Sequence, residues 1–343
     1  MSRSSRPPVT TQRTQANQLE KTVADACRAL ALARVDESRK HIKSLQTLMP
    51  GHAVLAHLER QLVAIGFEWP LARSGYVPGC QPAPDPCEVE LVAFHANMPA
   101  TPSGIHVQID YLDVLALSFE SAALRAPRAR RILLTDEHTP VPPALKIDEV
   151  IRFPIDLERL MYERMRVQSL YLEQRRADRV SVLLDSDVVI NREPSTIFAE
   201  TFDVGLTWRP EFADAPFNGG VIFIGKGNGG AAFFHRTLTC YNALAASTAV
   251  SAFFPRDLRA WWGDQFAIAA TVGYHAYATR QTDGIEVDGL RARLFPCSEY
   301  NFTIEPNSNY PGDVLGRKYF VHFKGNRKAL QAQYLEYMRG NPA

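Results

Sequence analysis

The sequence predicts an α/β fold with a mixed, largely parallel central sheet, preceded by a short helical segment. From residue 89 onward, short runs of aliphatic and β-branched residues alternate with longer stretches of helical periodicity, which is typical of parallel sheets. The run Val182–Ile190 is apolar at both odd and even positions, as expected for a strand covered by helices on both faces. These two observations predict one large domain over residues 89–343.

Three segments precede that domain. Residues 1–18 contain arginine and serine but no acidic residue, and we expect them to form a disordered tail. Residues 19–66 carry apolar residues at helical spacing, and residues 67–88 are rich in proline and glycine, which indicates a linker. One of the helical stripes consists of Ile42, Leu45, Leu48 and Met49.

The order of residues within 19–66 resembles one tetratricopeptide repeat followed by the start of another. That resemblance implies a surface for a protein partner. A plain helical cap on the following domain is the alternative, because such repeats usually need about three copies to be stable alone.

Within the domain, strands are short apolar runs bounded by turn-forming or charged residues, and helices are longer amphipathic stretches. Strands are expected at 89–94, 131–136, 150–153, 182–190, 204–208, 220–224 and 319–323. Helices are expected at 107–126, 156–176, about 230–246 and from Asp264 onward.

Composition excludes several classes of protein. Among 343 residues, 38 basic and 37 acidic side chains give a net charge of +1, so we expect no nucleic-acid partner. The 5 cysteines form no CxxC pair, which indicates free thiols in a reducing compartment. No apolar run reaches the roughly 18 residues of a membrane span, and no secretory signal is evident. We therefore expect a cytoplasmic protein without a transmembrane segment.

Two acidic residues interrupt the apolar run Val182–Ile190. Asp185 and Asp187 flank Ser186, and residues two apart in an extended chain project to the same side. Carboxylates at the carboxyl end of a parallel strand suit a divalent cation at the edge of the sheet. A strand that ends in a turn with solvated acids is the alternative.

A glycine-rich segment offers a second hypothesis. Residues 225–230 match G-x-G-x-x-G between a predicted strand and a predicted helix, the context of a dinucleotide-binding loop. No second strand ending in an acid follows about 20 residues later. The alternative is a glycine-rich turn that closes a strand.

Three further clusters combine polar groups with apolar elements. Asn218-Gly219-Gly220 stands just before a predicted strand, where glycines allow a ligand to approach the backbone. Asp264-Gln265 opens a predicted helix. A predicted strand is followed by His322, Gly325 and Lys328, which combine an imidazole, a flexible backbone and a cation suited to a metal-bound diphosphate. Four residues are candidates for contact with a sugar or an acceptor, with burial of the aromatic rings in the core as the alternative: Trp208, Arg209, Trp261 and Trp262.

The ordered stretches YERMR, VSVLLDSDVVINREPSTIF, FNGGVIFI, GDQFAI, YNF and HFKGNRK resemble the retaining, metal-dependent glycosyltransferases of family eight, the group of glycogenin and the bacterial lipopolysaccharide galactosyltransferases. The resemblance spans residues 89–330 and implies a GT-A nucleotide-diphospho-sugar transferase fold. It implies a nucleotide-sugar donor, expected to be a UDP-sugar, and a glycan, lipid or protein acceptor. The cofactor is expected to be Mn²⁺, or else Mg²⁺.

The resemblance also implies roles for individual residues. The metal ligands are Asp185, Asp187 and His322. The donor-binding residues are Phe94, His95, Asn97, Arg164, Asp185, Ser186, Asn218, Gly219, Gly325 and Lys328. The catalytic residues are Asp264 and Gln265, with Gln265 facing the anomeric carbon. The family's first strand ends in acids that bind uridine, whereas this chain has Phe94-His95-Ala96-Asn97. The resemblance therefore leaves the identity of the donor's nucleobase undecided.

Two other function classes stay open beside the transferase. One is a non-catalytic scaffold on the same fold, with the partner bound through residues 19–66. The other is an NAD(P)-binding oxidoreductase that uses the glycine-rich segment. Fold analogy alone does not decide between them.

Overall fold

The computed structural model describes residues 21–22, 25–26, 35–48, 89–97, 110–209, 216–246, 259, 263–272, 284–287, 289–304 and 316–341. The predicted tail 1–18, the linker 67–88 and most of the tetratricopeptide-like segment lie outside these ranges. Within them, no helix is both long and apolar enough to cross a membrane.

The described chain alternates strands and helices as predicted. The strands are β1 Val89–Phe94, β2 Arg130–Asp136, β3 Glu149–Phe153, β4 Val180–Asp185, β5 Val188–Ile190, β6 Val204–Trp208, β7 Phe217–Ile224, β8 Ile285–Val287, β9 Leu290–Pro296, β10 Phe302–Thr303 and β11 Phe320–His322. The helices are α1 Val35–Leu48, α2 Tyr111–Arg125, α3 Leu160–Gln174, α4 Gly229–Ala246, α5 Gly263–Val272, α6 Cys297–Tyr300 and α7 Gln331–Gly340. Short 3₁₀ helices occur at Leu157–Arg159, Ser195–Ala199 and Gly325–Leu330.

The central sheet has 8 strands in the order β3-β2-β1-β4-β7-β6-β9-β8. Strands β3, β2, β1 and β4 are parallel, and β6 and β9 run in the same direction because β7 is antiparallel to both β4 and β6. Only β7 and β8 are reversed. The predicted α/β class with a mixed, largely parallel sheet is confirmed.

Apolar side chains cover both faces of this sheet. Leu183 belongs to a cluster with residues of α3, α4 and α5, whereas Val182 and Leu184 belong to a cluster on the opposite face with Ala122 of α2. Because alternate residues of a strand point to opposite faces, a strand in this position favours apolar residues at both odd and even positions. This preference explains the apolar run from which the fold class was predicted.

The run Val182–Ile190 is not one strand, contrary to the prediction. β4 ends at Asp185, a turn follows at Ser186 and Asp187, and β5 continues in a separate sheet of 3 strands, ordered β10-β11-β5. Both strands are buried, so apolarity alone does not reveal the turn between them. Asp185 and Asp187 thus approach one another across a turn, and not along an extended strand.

Two smaller predictions also need correction. Asn218, Gly219 and Gly220 lie inside β7 and not before it. In α1, Ile42 and Leu45 are buried as expected, but Leu48 is exposed, so the predicted stripe is shorter. Met49 lies outside the described residues.

A glycine in the sheet provides a test of the packing. A Cβ at Gly205 would lie 2.6 Å from Phe295 Cε2 and 2.9 Å from Phe223 Cβ, both on neighbouring strands. We expect Gly205→Ala to lower the free energy of unfolding by about 1–3 kcal/mol, because a packed core must shift to admit a methyl group. Denaturant unfolding measures this change. Gly340→Ala is the control, since no atom lies within 4 Å of its added Cβ, and an equal loss in both variants would contradict the packing.

Candidate active site

The polar residues predicted to act together gather at one edge of the central sheet. Asp185 is the last residue of β4, and Trp208 and Pro296 end β6 and β9. These strands share one direction, so their carboxyl ends meet at the same edge, where ligands of open α/β sheets bind. The reversed strand β7 begins at this edge with Phe217.

Asp185, Asp187 and His322 form a cluster whose ligand atoms all lie within 4.8 Å of one another. The Nε2 atom of His322 lies 3.1 Å from Asp187 Oδ1 and 3.8 Å from Asp185 Oδ2. His322 reaches the acids because β11 pairs antiparallel with β5, which places His322 opposite Val188. The three predicted metal ligands are therefore brought together from residues far apart in sequence.

The protonation of His322 suits a metal ligand. Its Nδ1 lies 2.9 Å from Oδ1 of Asn301, an oxygen that only accepts, so Nδ1 carries the hydrogen and donates it. Asn301 is oriented in turn by its Nδ2, which donates to Thr207 Oγ1 at 2.9 Å. Burial lowers the pKa of His322, although Asp187 opposes this shift. The lone pair of Nε2 then faces a carboxylate oxygen, an arrangement that a cation between them would stabilise.

A buried lysine pairs with Asp187, one of the two acids of the cluster. Lys328 Nζ lies 2.5 Å from Asp187 Oδ2, and both side chains are buried. Burial alone would raise the pKa of Asp187, but His322 when its ring is protonated, together with the ammonium of Lys328, holds it well below its usual range. Asp187 therefore stays ionised, as a metal ligand must.

Arg164 bridges two carboxylates. Its guanidinium donates to Asp185 and to Asp264, and its side chain is almost fully buried. Burial would lower the pKa of Arg164, but the two carboxylates outweigh it and raise that pKa. Burial raises the pKa of Asp264, and Arg164 opposes the shift. Asp264 Oδ1 and Gln265 Oε1 are buried and accept no hydrogen bond from the described residues.

The glycines of β7 make room for this constellation. A Cβ at Gly219 would overlap the Arg164 guanidinium and lie 2.9 Å from Asp264 Oδ2. A Cβ at Gly220 would lie 2.7 Å from His322 Nδ1 and 2.9 Å from Asp185 Oδ2. We predicted that these glycines let a ligand approach the backbone; instead, the site's own side chains occupy the space. Asn218 is buried and its Oδ1 accepts from Gly220 N at 2.9 Å.

The candidate nucleotide-binding residues lie at the end of β1. The side chain of Phe94 belongs to the core, and that of Asn97 is exposed. The His95 ring stacks near Tyr111 at 6.5 Å between centroids, and its buried Nε2 has no hydrogen-bond partner in the described structure. Burial lowers the pKa of His95 to about 4, so the ring is neutral.

The remaining predicted positions fall in turns or in the core. Ser186 is half-buried in the turn between the two acids. Gly325 has a φ of 58°, a left-handed conformation that favours glycine and starts the turn leading to Lys328. Trp208 is buried in the core, which excludes the predicted stacking on a sugar.

The glycine-rich segment 225–230 closes a strand. A Cβ at Gly225 would overlap the Phe202 carbonyl oxygen, and one at Gly229 would overlap the Asp203 carboxylate. β7 is antiparallel to both neighbours, whereas a dinucleotide loop follows a parallel strand. The geometry therefore favours the turn over the dinucleotide loop.

Sequence reasoning assigned no role to three residues that lie near candidate site residues. Asn301 and Thr207 orient His322, and Asp136 ends β2 with its Oδ1 accepting from Thr139 N at 3.1 Å. Asn301 stands in the YNF stretch, but its role depends on long-range contacts. Asp136 was detectable in principle, because it ends a predicted parallel strand.

Comparisons with known proteins give a weak similarity. No family model matches the chain, and no curated protein sequence matches it. A solved glycosyltransferase involved in glycosylation of the major capsid of PBCV-1 aligns with 73% of this chain and 98% of its own, at 13% identity and a TM-score of 0.40. The galactosyltransferase LgtC, with donor and acceptor sugar analogues, aligns with 73% of this chain and 99% of its own, at 11% identity and a TM-score of 0.39. Values this low carry no functional argument.

Removal of the Asn301 amide tests the orientation of His322. We expect Asn301→Ala to weaken Mn²⁺ binding about 10–100-fold, because the imidazole loses the partner that fixes its tautomer. Isothermal titration calorimetry with Mn²⁺ measures the effect. Asn191→Ala is the control: this buried amide donates to Lys318 O at 2.7 Å and accepts from Tyr334 at 2.6 Å. Equal Mn²⁺ affinity in the two variants would contradict the proposed orientation.

The pH dependence of Mn²⁺ binding provides a second test. An imidazole with the ordinary pKa of about 6.5 would lose roughly tenfold in metal affinity one pH unit below it. Because burial lowers the pKa of His322, we expect a smaller loss than this when the pH falls from 7.5 to 5.5. A tenfold loss centred on the ordinary pKa would show that His322 titrates normally.

Proposed function

We propose that this protein is a metal-dependent glycosyltransferase that transfers a sugar from a nucleoside diphosphate donor to an acceptor hydroxyl with retention of anomeric configuration. The observation that carries the proposal is the buried cluster of Asp185, Asp187 and His322 with Lys328 beside it. Its place at the carboxyl edge of the sheet suits a nucleotide ligand. We further propose the GT-A assignment, which the observed sheet supports.

The cluster has the chemistry of a site for Mn²⁺ or Mg²⁺. Asp185, Asp187 and the neutral Nε2 of His322 would hold the ion, which when bound would withdraw charge from the donor diphosphate as a Lewis acid. The preference for Mn²⁺ rests on the imidazole, since Mg²⁺ favours oxygen ligands.

Lys328 would bind the donor diphosphate. Part of its present ion pair with Asp187 would be replaced by this contact. Its ammonium neutralises the charge that develops on the leaving phosphate as the glycosyl–oxygen bond breaks. The backbone of Gly325, which has a left-handed conformation at the start of the same turn, would also contact the diphosphate. Binding of the donor would thus exchange an internal ion pair for a charge-assisted hydrogen bond to phosphate.

Asp264 and Gln265 would bind the transferred sugar. Their buried acceptor oxygens Oδ1 and Oε1 lack donors from the described residues, and sugar hydroxyls are suitable donors. Arg164 donates a hydrogen bond to Asp264, and the absence of a side chain at Gly219 leaves room for both groups. Asn218, on the same segment of β7, would line the sugar pocket.

For the reaction we favour displacement on a single face of the sugar. The bond between the anomeric carbon and the phosphate oxygen breaks, and its electron pair stays with the diphosphate. The acceptor oxygen bonds to the same carbon from the same face, and its proton passes to the departing phosphate. Double displacement requires a nucleophile on the opposite face. Asp264 is engaged by Arg164 and Gln265 is a poor nucleophile.

We propose that Phe94, His95 and Asn97 contact the nucleobase of the donor. The expected donor nucleotide is UDP. Phe94 would act through its backbone, since its side chain is in the core. The neutral His95 ring beside Tyr111 is the side chain best suited to face a base.

The nucleotide and its metal dependence are testable together. We expect UDP with Mn²⁺ to raise the melting temperature, because a ligand that binds only the folded state stabilises it by mass action. We expect GDP or NAD with Mn²⁺, and UDP alone, to raise it less. Asp187→Asn should abolish both the metal-dependent shift and sugar transfer, since it removes a metal-binding charge. Differential scanning fluorimetry and release of UDP from UDP-sugars measure the two effects.

The outcomes separate the function classes. A shift with NAD alone that needs no metal would favour the oxidoreductase hypothesis, and transfer by Asp187→Asn at unchanged metal dependence would overturn the proposal. Lys146→Met, which changes an exposed lysine, is the control for charge and should leave the UDP shift unchanged.

A further inference from the structure

A buried threonine of the central sheet contacts three polar groups at the edge that carries the metal cluster. Thr207 lies in β6 and its side chain is shielded from solvent. Its Oγ1 atom lies 2.8 Å from the carbonyl oxygen of Asn218, 3.0 Å from that of Val221 and 2.9 Å from Nδ2 of Asn301. Asn301 is equally buried, so these groups satisfy one another inside the protein.

An irregularity in the pairing of β6 and β7 brings the two carbonyl groups to one side chain. The regular register of the two strands ends at Leu206 and pairing resumes at Trp208, so Thr207 alone stands opposite residues 218–221. Such bulges occur next to active sites, where they change the direction of side chains. At each end of the bulged segment, a carbonyl oxygen faces the Thr207 hydroxyl.

The chemistry of these groups fixes which atom donates each hydrogen bond. A hydroxyl has one hydrogen to donate and lone pairs that accept, whereas a carbonyl oxygen only accepts. The Thr207 hydroxyl must therefore give its hydrogen to one of the two carbonyls, and it accepts from Asn301. The amide nitrogen of Asn301 consequently faces Thr207, and the amide oxygen faces His322.

The same polarity reaches the metal cluster. Nδ1 of His322 lies 2.9 Å from Oδ1 of Asn301, so in the neutral ring Nδ1 carries the hydrogen and the lone pair is on Nε2. Nε2 lies 3.1 Å from Asp187 Oδ1. In the other tautomer, Nε2 would carry the hydrogen and could donate it to Asp187, but it would have no lone pair for a cation. The direction of the hydrogen bonds thus decides whether the ring can be a ligand.

We propose that Thr207 is a positioning residue, whose hydroxyl sets the tautomer of His322 through Asn301 and so makes Nε2 available to a metal ion. The consequence for metal binding rests on the proposed function, whereas the tautomer is a property of the chain alone. Serine at position 207 would keep the hydroxyl and the direction of the hydrogen bonds. Valine, which has the shape of threonine without the hydroxyl, would not.

Nitrogen-15 NMR of the histidine rings tests the tautomer, because ring nitrogens with and without a hydrogen differ in chemical shift. The full chain is measured without metal at about pH 8, well above the ordinary imidazole pKa of about 6.5. The His322 signals are those missing in His322→Gln. We expect the hydrogen on Nδ1 in wild type and in Thr207→Ser. In Thr207→Val we expect it on Nε2 in a measurable fraction of molecules, because the Asn301 amide loses the acceptor that fixes its orientation.

Calorimetry with Mn²⁺ tests the consequence for metal binding. We expect Thr207→Val to weaken Mn²⁺ binding about tenfold or more, since loss of a group that orients a metal-binding histidine commonly costs about 10–100-fold. Thr207→Ser should retain most of the affinity. Thr237→Val is the matched control, because Thr237 is equally buried and its Oγ1 donates to Phe233 O at 2.9 Å within α4. This control should keep the wild-type tautomer of His322 and the wild-type affinity.

Three results would overturn the inference. They are a hydrogen on Nε2 of His322 in wild type or in Thr207→Ser, an unchanged tautomer in Thr207→Val, and an equal loss of Mn²⁺ affinity in Thr207→Val and Thr237→Val. The first result does not depend on whether Thr207→Val folds. The proposed function fails separately, if Mn²⁺ does not bind wild type, and the NMR measurement without metal still reports on Thr207.

Discussion

Burial of carboxylates at one edge of the sheet is the constraint on which the rest of the site depends. Asp187 and Asp264 are almost completely buried, and a buried anion is costly unless cations and hydrogen bonds surround it. Lys328 balances Asp187, and Arg164 balances Asp264 together with Asp185. The internal ion pairs keep the acids charged and hold them in position, and a metal ion would enter among groups that are already aligned.

The buried carboxylates also restrict which uncharged residues can stand next to them. The guanidinium of Arg164 and the ring of His322 lie against β7 at positions where any side chain would clash, and both positions are glycine. The orientation of His322 depends on Asn301, and Asn301 depends on Thr207 of β6. The site therefore includes a supporting shell drawn from β6, β7 and the residues after β9.

Much of the fold and part of the site followed from local patterns. The alternation of apolar runs and amphipathic stretches predicted most of the elements, because the periodicity of burial differs between strands and helices. The acids of the DxD stretch and the polar loop after β11 were identified because charged groups that follow buried strands are unusual. The turn at Ser186 was missed, since β4 and β5 are both buried and equally apolar. The tetratricopeptide-like segment stays a prediction, as most of it lies outside the described residues.

Local sequence patterns were sufficient to predict the α/β class, the apolar faces of the central strands and the residue types available for metal and phosphate chemistry. Which of these residues meet depends on contacts between elements. His322 reaches Asp187 through the pairing of β11 with β5. Arg164 reaches Asp264 because α3 and α5 cover the same face of the sheet. Packing also places Trp208 in the core. The physical reason is that periodicity reports the burial of each residue within its own element. Contacts between elements depend instead on strand order and direction, which are set by packing across the whole domain.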